Sequence, residues 1–272
     1  MRQLAGRVAV VTGAASGIGR ALGFALAAKG CDLALVDVDA EGLERTASEL
    51  LALGATASLH RVDVADRAAM ERLAEDVIRE HGRVHILVNN AGVSVSSLFE
   101  EQSLEDFEWL IGINFWGVVH GCKYFLPLLK QVEEAHIVNL SSLFGIVGVP
   151  TQSSYNASKF AVRGLSEALR AELAGTGVGV SVVHPGGVNT NIVRRGRMAN
   201  EDERDELIAT FERVGMAPDR AAAKIVRGIE TNRARIRIGR ETYALDWAKR
   251  AFPTWTQDLI AAGYRRSQRR RK

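Results

Sequence analysis

The residues from Thr12 to Gly19 have the composition and position of a phosphate-binding turn. Their sequence, TGAASGIG, follows the apolar run RVAVV and precedes a helical pattern. Glycine lets the backbone turn sharply and approach a pyrophosphate closely, and the positive end of the following helix attracts the anion. The glycines are spaced G-x-x-x-G-x-G rather than G-x-G-x-x-G, so a glycine turn without a ligand stays an alternative for this segment alone.

A carboxylate follows at a distance that suits a contact with ribose. Asp37 ends the second predicted strand, eighteen positions after Gly19, where it can accept hydrogen bonds from adenosine ribose hydroxyls. Its negative charge would repel a 2′-phosphate, and neither Ser16 nor Val38 supplies a base that would offset the repulsion. The residues therefore favour NAD(H) over NADP(H). The alternative role for Asp37 is a helix cap, for which Asp39 is better placed.

Tyr155 and Lys159 form a second candidate pair. They lie four positions apart in the helical pattern SSYNASKFAVRGL, so their side chains share one helix face and meet. A tyrosine and a lysine with this spacing also occur by chance on the surface of a helix, so the spacing alone does not indicate a catalytic function.

Taken together, these motifs resemble those of the short-chain dehydrogenase/reductase family along nearly the whole chain. Their joint occurrence in this order is far more specific than any one of them. The residues that carry the resemblance are the TGAASGIG turn, Asp37, Asp63-Val64, Asn89-Asn90-Ala91-Gly92, Asn114, Ser142 thirteen positions before Tyr155, the YNASK block that ends at Lys159, and Pro185-Gly186-Gly187-Val188-Asn189-Thr190.

The resemblance implies a catalytic group of four residues. Tyr155 would be the general acid/base that exchanges a proton with the substrate oxygen while hydride moves between the same carbon and the nicotinamide. The ammonium of Lys159 and the positive nicotinamide would favour the phenolate, and Lys159 would also hold the nicotinamide ribose. Ser142 would hydrogen-bond the substrate oxygen. Asn114 would hold a water that links Lys159 to solvent, with a satisfied buried asparagine as the alternative.

The resemblance also implies which residues bind the cofactor, which we expect to be NAD. Asp63 would reach the adenine, the turn from Asn90 would line the adenosine, and the loop around Val188 would anchor the carboxamide. We expect no metal site, and we interpret His184 as a packed histidine at a strand end. The cofactor-binding set is Gly13, Ser16, Gly17, Ile18, Gly19, Asp37, Asp63, Val64, Asn90, Ala91, Gly92, Tyr155, Lys159, Pro185, Gly186, Val188 and Thr190.

Alternating strand and helix patterns would position these residues. Short β-branched runs such as CDLALVD and RVHILVNN alternate with helical patterns, among them a long helix over 103–130 and a helix from about Ser153 to Ala174. This order predicts an α/β, doubly wound Rossmann fold with a parallel sheet of about seven strands and helices on both faces. We expect one domain over residues 1–264, closed by a helix near Arg220–Thr231 and the strand ARIRIG.

Composition excludes several other classes of protein. The chain has 272 residues, 47% of them hydrophobic, so it can bury a full core. Cys31 and Cys122 offer no disulfide framework, and the N-terminal apolar run is too short for a signal peptide, so we expect a reducing, cytoplasmic setting. The net charge is +3, but six basic residues lie within 265–272, which leaves the rest of the chain at −3. We therefore expect no nucleic-acid partner.

The basic segment 265–272 admits two interpretations. It is a flexible solvated tail, or it makes a weak contact with an anionic membrane, since it follows a stretch that contains Trp247, Phe252, Trp255 and Tyr264.

The substrate is expected to be a mostly apolar alcohol or ketone. Its pocket would be formed by residues 143–150 and by an irregular loop at about 186–218, which carries an amphipathic helix with Leu207, Ile208, Phe211 and Val214 on one face. Arg194, Arg195 and Arg197 could instead hold a phosphate or carboxylate, or lie in solvent. The apolar lining would comprise Leu143, Phe144, Ile146, Val147, Val149, Ile192, Val193, Met198, Phe211 and Met216.

The resulting hypothesis is an NAD-dependent oxidoreductase that interconverts a secondary alcohol and its ketone. The alternatives are a 3-oxoacyl thioester reductase, a catalytically idle NAD-binding regulatory protein, and an enzyme that uses the same residues for epimerisation or dehydration. A homodimer or homotetramer is also expected, because the helices that carry Trp109, Phe115, Trp116 and Phe125, and Phe160 and Leu165, have more apolar surface than one sheet face needs.

Overall fold

The computed structural model describes residues 1, 3–194, 196–198 and 201–271, without the side chains of 201–203, 206, 207, 210, 211, 270 and 271. Arg195 and the side chains of Leu207 and Phe211, which the sequence places in the substrate loop, therefore lie outside the described residues.

Seven parallel strands form the central sheet, in the order β3-β2-β1-β4-β6-β7-β9. The chain moves outward from β1 to β3 and then returns to the other side of β1 with β4, so the strand order reverses between β1 and β4. Ligands bind at such a reversal in open α/β sheets. The strands are β1 Val8–Thr12, β2 Asp32–Asp37, β3 Ala57–Arg61, β4 Ile86–Asn89, β6 Ala135–Leu140, β7 Val178–Pro185 and β9 Arg235–Ile238, and β5 Val95–Ser96 pairs separately with β8 Arg197–Met198.

Helices connect the strands and cover both faces of the sheet. Leu22, Leu50 and Ile225 pack on one face, whereas Met70 and Phe125 pack on the other. The doubly wound fold predicted from the sequence is thereby confirmed. The helices are α1 Gly17–Ala27, α2 Ala40–Ala52, α3 Arg67–His81, α4 Leu104–Ile111, α5 Gly117–Leu129, α6 Ser153–Glu172, α7 Glu201–Val214, α8 Pro218–Glu230, α9 Arg240–Ala251 and α10 Pro253–Arg271.

Local signals explain where several helices begin and end. Asp39 accepts a hydrogen bond from the Gly42 backbone and caps α2, as the sequence predicts, and Asp66 caps α3 in the same way. Gly82 ends α3 in the left-handed conformation that favours glycine.

The structure differs from the sequence-based expectation in two places. The long helix over 103–130 is interrupted by a π-helical segment, Gly112–Trp116, between α4 and α5. The C-terminal region forms α9 and α10, and α10 continues to Arg271, so both the domain end at residue 264 and the start of a tail at 265 fall inside a helix. No helix within the described residues has the length and apolar character required to cross a membrane.

Candidate active site

The carboxyl ends of the parallel strands bring the predicted site residues to one edge of the sheet. The glycine turn follows β1, Asp37 ends β2, Ser142 lies two residues after β6, and Pro185 ends β7. Asp63 follows β3, where its carboxylate accepts a hydrogen bond from the Ala65 backbone at 2.9 Å. The adjacent Val64 is buried.

The glycine turn is built so closely that side chains would not fit. Gly13 and Gly17 have φ angles of +69° and +56°, and a Cβ at Gly13 would lie 2.7 Å from the Asn90 side-chain nitrogen. A Cβ at Gly19 would lie 2.1 Å from the Gly13 carbonyl oxygen. Ser16 occupies the N-cap position of α1, and Ile18 packs against the core. The turn therefore exposes backbone at a helix N-terminus, which suits an anion.

Asn90 stabilises this turn by hydrogen bonds, in addition to its expected place beside the cofactor. Its Nδ2 donates to the carbonyl oxygens of Thr12 at 2.8 Å and Gly13 at 3.3 Å. The Thr12 hydroxyl in turn accepts hydrogen bonds from the backbone N–H groups of Asn90 and Ala91, at 2.9 and 3.0 Å. Asn90 and the start of the Ala91-Gly92 turn thus fix the first turn of the candidate cofactor site.

The Asp37 carboxylate lies against the glycine turn. Its Oδ2 accepts a hydrogen bond from the Ala15 backbone, and its Oδ1 accepts one from the Asp39 backbone, both at 3.0 Å. Asp39, and not Asp37, caps α2, so the cap alternative for Asp37 is wrong. Its position beside the turn is one from which it could reach the ribose of a dinucleotide.

Ser142, Tyr155 and Lys159 form a cluster in which Lys159 is buried and the other two residues are partly exposed. The side chain of Ser142 hydrogen-bonds that of Tyr155, and the Lys159 Nζ lies 5.5 Å from the centre of the tyrosine ring. Lys159 is 3% exposed and donates to the Leu140 carbonyl oxygen at 3.0 Å. Phe144 packs edge-on against the tyrosine ring, with 5.9 Å between ring centres. The alternative of a surface Tyr–Lys pair is therefore wrong.

Burial sets the pKa values of this cluster. It raises the pKa of Tyr155 to about 12, although the hydrogen bond from Ser142 acts in the opposite direction. It lowers the pKa of Lys159 to about 8. In the protein alone, the lysine does not offset the burial of the phenol. The expectation that Lys159 and a bound nicotinamide together favour the phenolate concerns the cofactor-bound site and stays a prediction; in the protein alone, the raised pKa keeps Tyr155 protonated at neutral pH.

Asn114 lies in the π-helical segment and is fully buried. Its Oδ1 accepts from the Val93 backbone N–H at 2.8 Å, and its Nδ2 donates to the Val93 carbonyl at 2.9 Å and to the Ser158 hydroxyl at 3.3 Å. Ser158 donates onward to the Tyr155 carbonyl at 2.8 Å. The asparagine thereby connects the turn after β4 to the Tyr155 helix. Single π-helical turns of this kind are frequent at functional sites.

His184 supports the backbone of Ser142. It is fully buried, and its Nδ1 lies 2.9 Å from the Ser142 carbonyl oxygen, so the ring nitrogen must be the donor. Burial lowers the pKa of this imidazole. The interpretation of His184 as a packed histidine at a strand end is confirmed, but its contact with Ser142 could not be foreseen from the sequence.

The loop after β7 is held on two sides. The Val188 backbone bridges that of Met216, and Thr190 approaches the glycine turn, since a Cβ at Gly17 would lie 3.2 Å from the threonine Cβ. Glu241, which the sequence analysis did not single out, accepts a hydrogen bond from the Gly187 N–H at 3.1 Å. It also lies close enough to Gly186 to exclude a side chain there.

Part of the expected substrate lining belongs to the core. Leu143, Ile146 and Val147 are buried in a cluster with Leu245 of α9 and Ile260 of α10. These C-terminal helices were not predicted, so their contact with the segment after Ser142 was missed. Of the expected lining residues, Phe144, Val149, Ile192, Val193, Met198 and Met216 are partly exposed, and the same holds for Ile208, whereas Val214 is exposed.

Arg194 and Arg197, two of the arginines in the loop, are paired within the chain. Arg194 forms an ion pair with Glu212. Arg197 pairs with Asp106 and stacks over the Trp109 ring at 3.9 Å. These partners neutralise the two described arginines of the cluster that could hold a substrate phosphate or carboxylate, so that alternative loses its main support.

Comparisons with known proteins agree with this geometry. The family model for short chain dehydrogenase matches residues 7–201. "Putative oxidoreductase SadH" of Mycobacterium tuberculosis is 43% identical over 267 residues, which cover 97% of each chain, and D-threitol dehydrogenase of Mycolicibacterium smegmatis is 38% identical over 82% of this chain and 86% of its own. A short-chain dehydrogenase/reductase from Burkholderia phymatum, solved in complex with NAD, is 34% identical, with a TM-score of 0.88 over 94% of this chain and 97% of its own. The chain belongs to the short-chain dehydrogenase/reductase family and is an oxidoreductase of that type.

Proposed function

We propose that this protein is an NAD(H)-dependent oxidoreductase that interconverts a mostly apolar secondary alcohol and its ketone. The observation that carries the proposal is the cluster of Ser142, Tyr155 and the buried Lys159 at the same sheet edge as the glycine turn. The turn fits a dinucleotide because a Cβ at Gly13 or Gly19 would collide with its surroundings, which leaves bare backbone facing the site.

In this proposal, Tyr155 moves the proton. During ketone reduction its hydroxyl gives a proton to the substrate oxygen, and the raised pKa keeps that hydroxyl protonated at neutral pH. During alcohol oxidation the phenolate takes the proton back. Ser142 donates to the substrate oxygen and stabilises the charge that develops there. A bound nicotinamide would supply or accept the hydride, and its oxidised form would add a positive charge that favours the phenolate.

Lys159 positions and charges the site. One of its three N–H groups donates to the Leu140 carbonyl. Two N–H groups remain, which could donate to the nicotinamide ribose and stabilise the Tyr155 phenolate. With a pKa of about 8, it remains mostly charged at neutral pH. The Gly92 backbone lies nearby, since a Cβ there would be 3.5 Å from Nζ. Asn114 holds this turn and would order the water that connects Lys159 to solvent.

The cofactor preference rests on Asp37. A carboxylate beside the glycine turn would bind ribose hydroxyls and repel a 2′-phosphate, and Ser16 and Val38 carry no charge to offset it. Arg61 of β3 is the register partner of Asp37, so it is a basic residue that could favour a 2′-phosphate. The Asp63-Val64 pair, Pro185 to Gly186, Val188 and Thr190 would complete the cofactor contacts.

A paired titration tests the cofactor assignment. Binding of NADH and NADPH is followed by energy transfer from the four tryptophans to the bound nicotinamide, on the wild type and on an Arg61→Gln control. We expect micromolar binding of NADH and much weaker binding of NADPH in both proteins. A preference for NADPH would overturn the Asp37 argument and revive the thioester reductase, and binding of neither would favour an idle protein.

The apolar character of the substrate rests on the paired loop arginines and on Phe144. Phe144 packs against Tyr155, so an apolar side chain borders the ring that carries the proposed acid/base hydroxyl. The relative from Mycolicibacterium smegmatis is named for D-threitol, which is a polyol. A substrate screen should therefore include small polyols beside apolar secondary alcohols, with NADH formation as the readout. Turnover of polyols alone would contradict the apolar assignment.

We also propose a homodimer or homotetramer through the outer surfaces of α5 and α6. Trp116, directly before α5, and Phe160 of α6 are 50% and 41% exposed, although Phe125, expected on the same surface, is fully buried in the core. Light scattering at the monomer mass of 29.5 kDa would contradict this assembly. The cytoplasmic setting stays a prediction from the two cysteines, which are buried free thiols.

A further inference from the structure

Helices α9 and α10 carry an exposed group of aromatic and apolar side chains. Trp247, Phe252 and Trp255 are 67%, 52% and 58% exposed, and Leu259 is exposed beside them. The rings contact one another, with 6.3 Å between the centres of Trp247 and Phe252 and 6.0 Å between those of Phe252 and Trp255. We call these four residues the aromatic patch. Exposed apolar residues in such a group mark an interaction surface more often than exposed single residues do.

The outer side of α10 continues from this patch into basic residues. Trp255, Leu259, Arg266 and Arg269 are spaced by four, seven and three positions, which places them within one narrow arc of a helix. All four are exposed. Asp258 is the one acidic residue in the sequence of α10, whereas Arg265 also lies in its exposed basic part. One helix face therefore passes from apolar to positively charged.

The opposite side of α10 is fixed to the candidate active site. Thr256 is buried, and Ile260 packs on the cluster that contains Leu143. Gln257 donates to the Gly148 carbonyl oxygen at 2.8 Å, in the segment that follows Ser142. The aromatic patch therefore lies on helices whose opposite side packs on the segment after Ser142, next to the catalytic cluster.

We propose that the outer face of α9 and α10 binds the surface of an anionic phospholipid membrane. Tryptophan and phenylalanine side chains enter the boundary between headgroups and acyl chains, and adjacent arginines are attracted to anionic lipids. Charge complementarity thus selects an anionic lipid surface, which both parts of the helix face can contact together. Membrane binding by itself does not depend on the enzymatic assignment. Its consequence, that an apolar substrate reaches the site from the bilayer, rests on the proposed function.

Vesicle flotation tests this proposal. The wild type is mixed with vesicles of phosphatidylcholine alone or of phosphatidylcholine with phosphatidylglycerol, at low and at high salt. We expect flotation with the mixed vesicles at low salt and little with the neutral ones. Arg266→Gln combined with Arg269→Gln should lower the partition coefficient about 25-fold, at about fivefold per arginine. Trp247→Ser combined with Trp255→Ser should lower it at least about tenfold.

Matched controls separate this proposal from a folding defect. Leu53→Ser removes an exposed apolar side chain elsewhere, and Arg72→Gln removes an exposed charge elsewhere, so both should float like the wild type. Circular dichroism and NADH binding are measured on the wild type and on every variant. A wild type that binds NADH but does not float would overturn the membrane proposal alone, whereas a paired variant that binds NADH and no longer floats is the expected result. Equal flotation of the paired variants and the wild type would also overturn it. A third result would overturn it: the wild type is an oligomer that does not bind vesicles, and Trp247→Ser/Trp255→Ser dissociates that oligomer. A second copy of the chain would then cover the aromatic patch.

Discussion

Replacing Lys159 with methionine should stabilise the folded protein while it removes activity. Burial lowers the pKa of Lys159 to about 8 from an ordinary value of 10.5. A difference of this size between the folded and unfolded pKa values corresponds to about 3 kcal/mol of unfolding free energy at neutral pH. Loss of the hydrogen bond to the Leu140 carbonyl destabilises the variant by about 1 kcal/mol and offsets part of this stabilisation. The expected net stabilisation is about 2 kcal/mol at pH 7.

The stability difference between Lys159→Met and the wild type should depend on pH. Since the folded protein loses the Lys159 proton at a lower pH than the unfolded chain, the unfolded chain binds more protons between pH 8 and 10.5. The lysine contribution to wild-type stability should therefore rise with pH in that window, and the advantage of Lys159→Met should disappear there.

Urea denaturation at pH 7 and at pH 10 measures the effect. Lys123→Met, which removes an exposed lysine from α5, is the matched control and should change neither value. A Lys159→Met protein that is less stable than the wild type at pH 7, or whose advantage persists unchanged at pH 10, would refute the argument that burial sets the lysine pKa.

Substitutions at four further positions test the site. Tyr155→Phe should lower kcat by about 10²–10⁴-fold while NADH binding is retained, as steady-state kinetics and titration can show. Ser142→Ala should lower kcat by about 10²–10³-fold, and an unchanged kcat would remove Ser142 from the proposed mechanism. His184→Phe leaves the Ser142 carbonyl without its donor, so it should cost about 1–3 kcal/mol in urea denaturation, and His184→Gln should recover part of the loss. Asp37→Ala should reduce the preference for NADH over NADPH at least about tenfold, which titration calorimetry would reveal.

Features that depend on neighbouring residues could be predicted from the sequence. The alternation of strand and helix patterns in the sequence predicts the seven-stranded parallel sheet. Because the carboxyl ends of parallel strands lie at one edge, it also predicts that Asp37, Ser142 and Pro185 lie together. A spacing of four residues places Tyr155 and Lys159 on one face of a helix. The need for glycine at positions 13 and 19 follows from the close approach of the turn.

Features that depend on distant contacts could not be predicted in this way. The Arg197 side chain pairs with Asp106, which lies ninety-one positions away, and the segment after Ser142 packs on α9 and α10. The Tyr155 pKa follows from burial by the whole fold, which a neighbouring lysine in the sequence does not reveal. The π-helical turn at Asn114 has no sequence signal that we recognised, since its residues fit a regular helix.

Turnover of an apolar ketone by NADH is the most direct test of the proposed function. Loss of NADH absorbance is measured with a panel of apolar ketones, and the product is identified as the secondary alcohol, for the wild type and for Tyr155→Phe. We predict turnover by the wild type and, in the variant, NADH binding with little or no turnover. Equal turnover by both proteins, or NADH binding by the wild type without turnover of any ketone in the panel, would contradict the account.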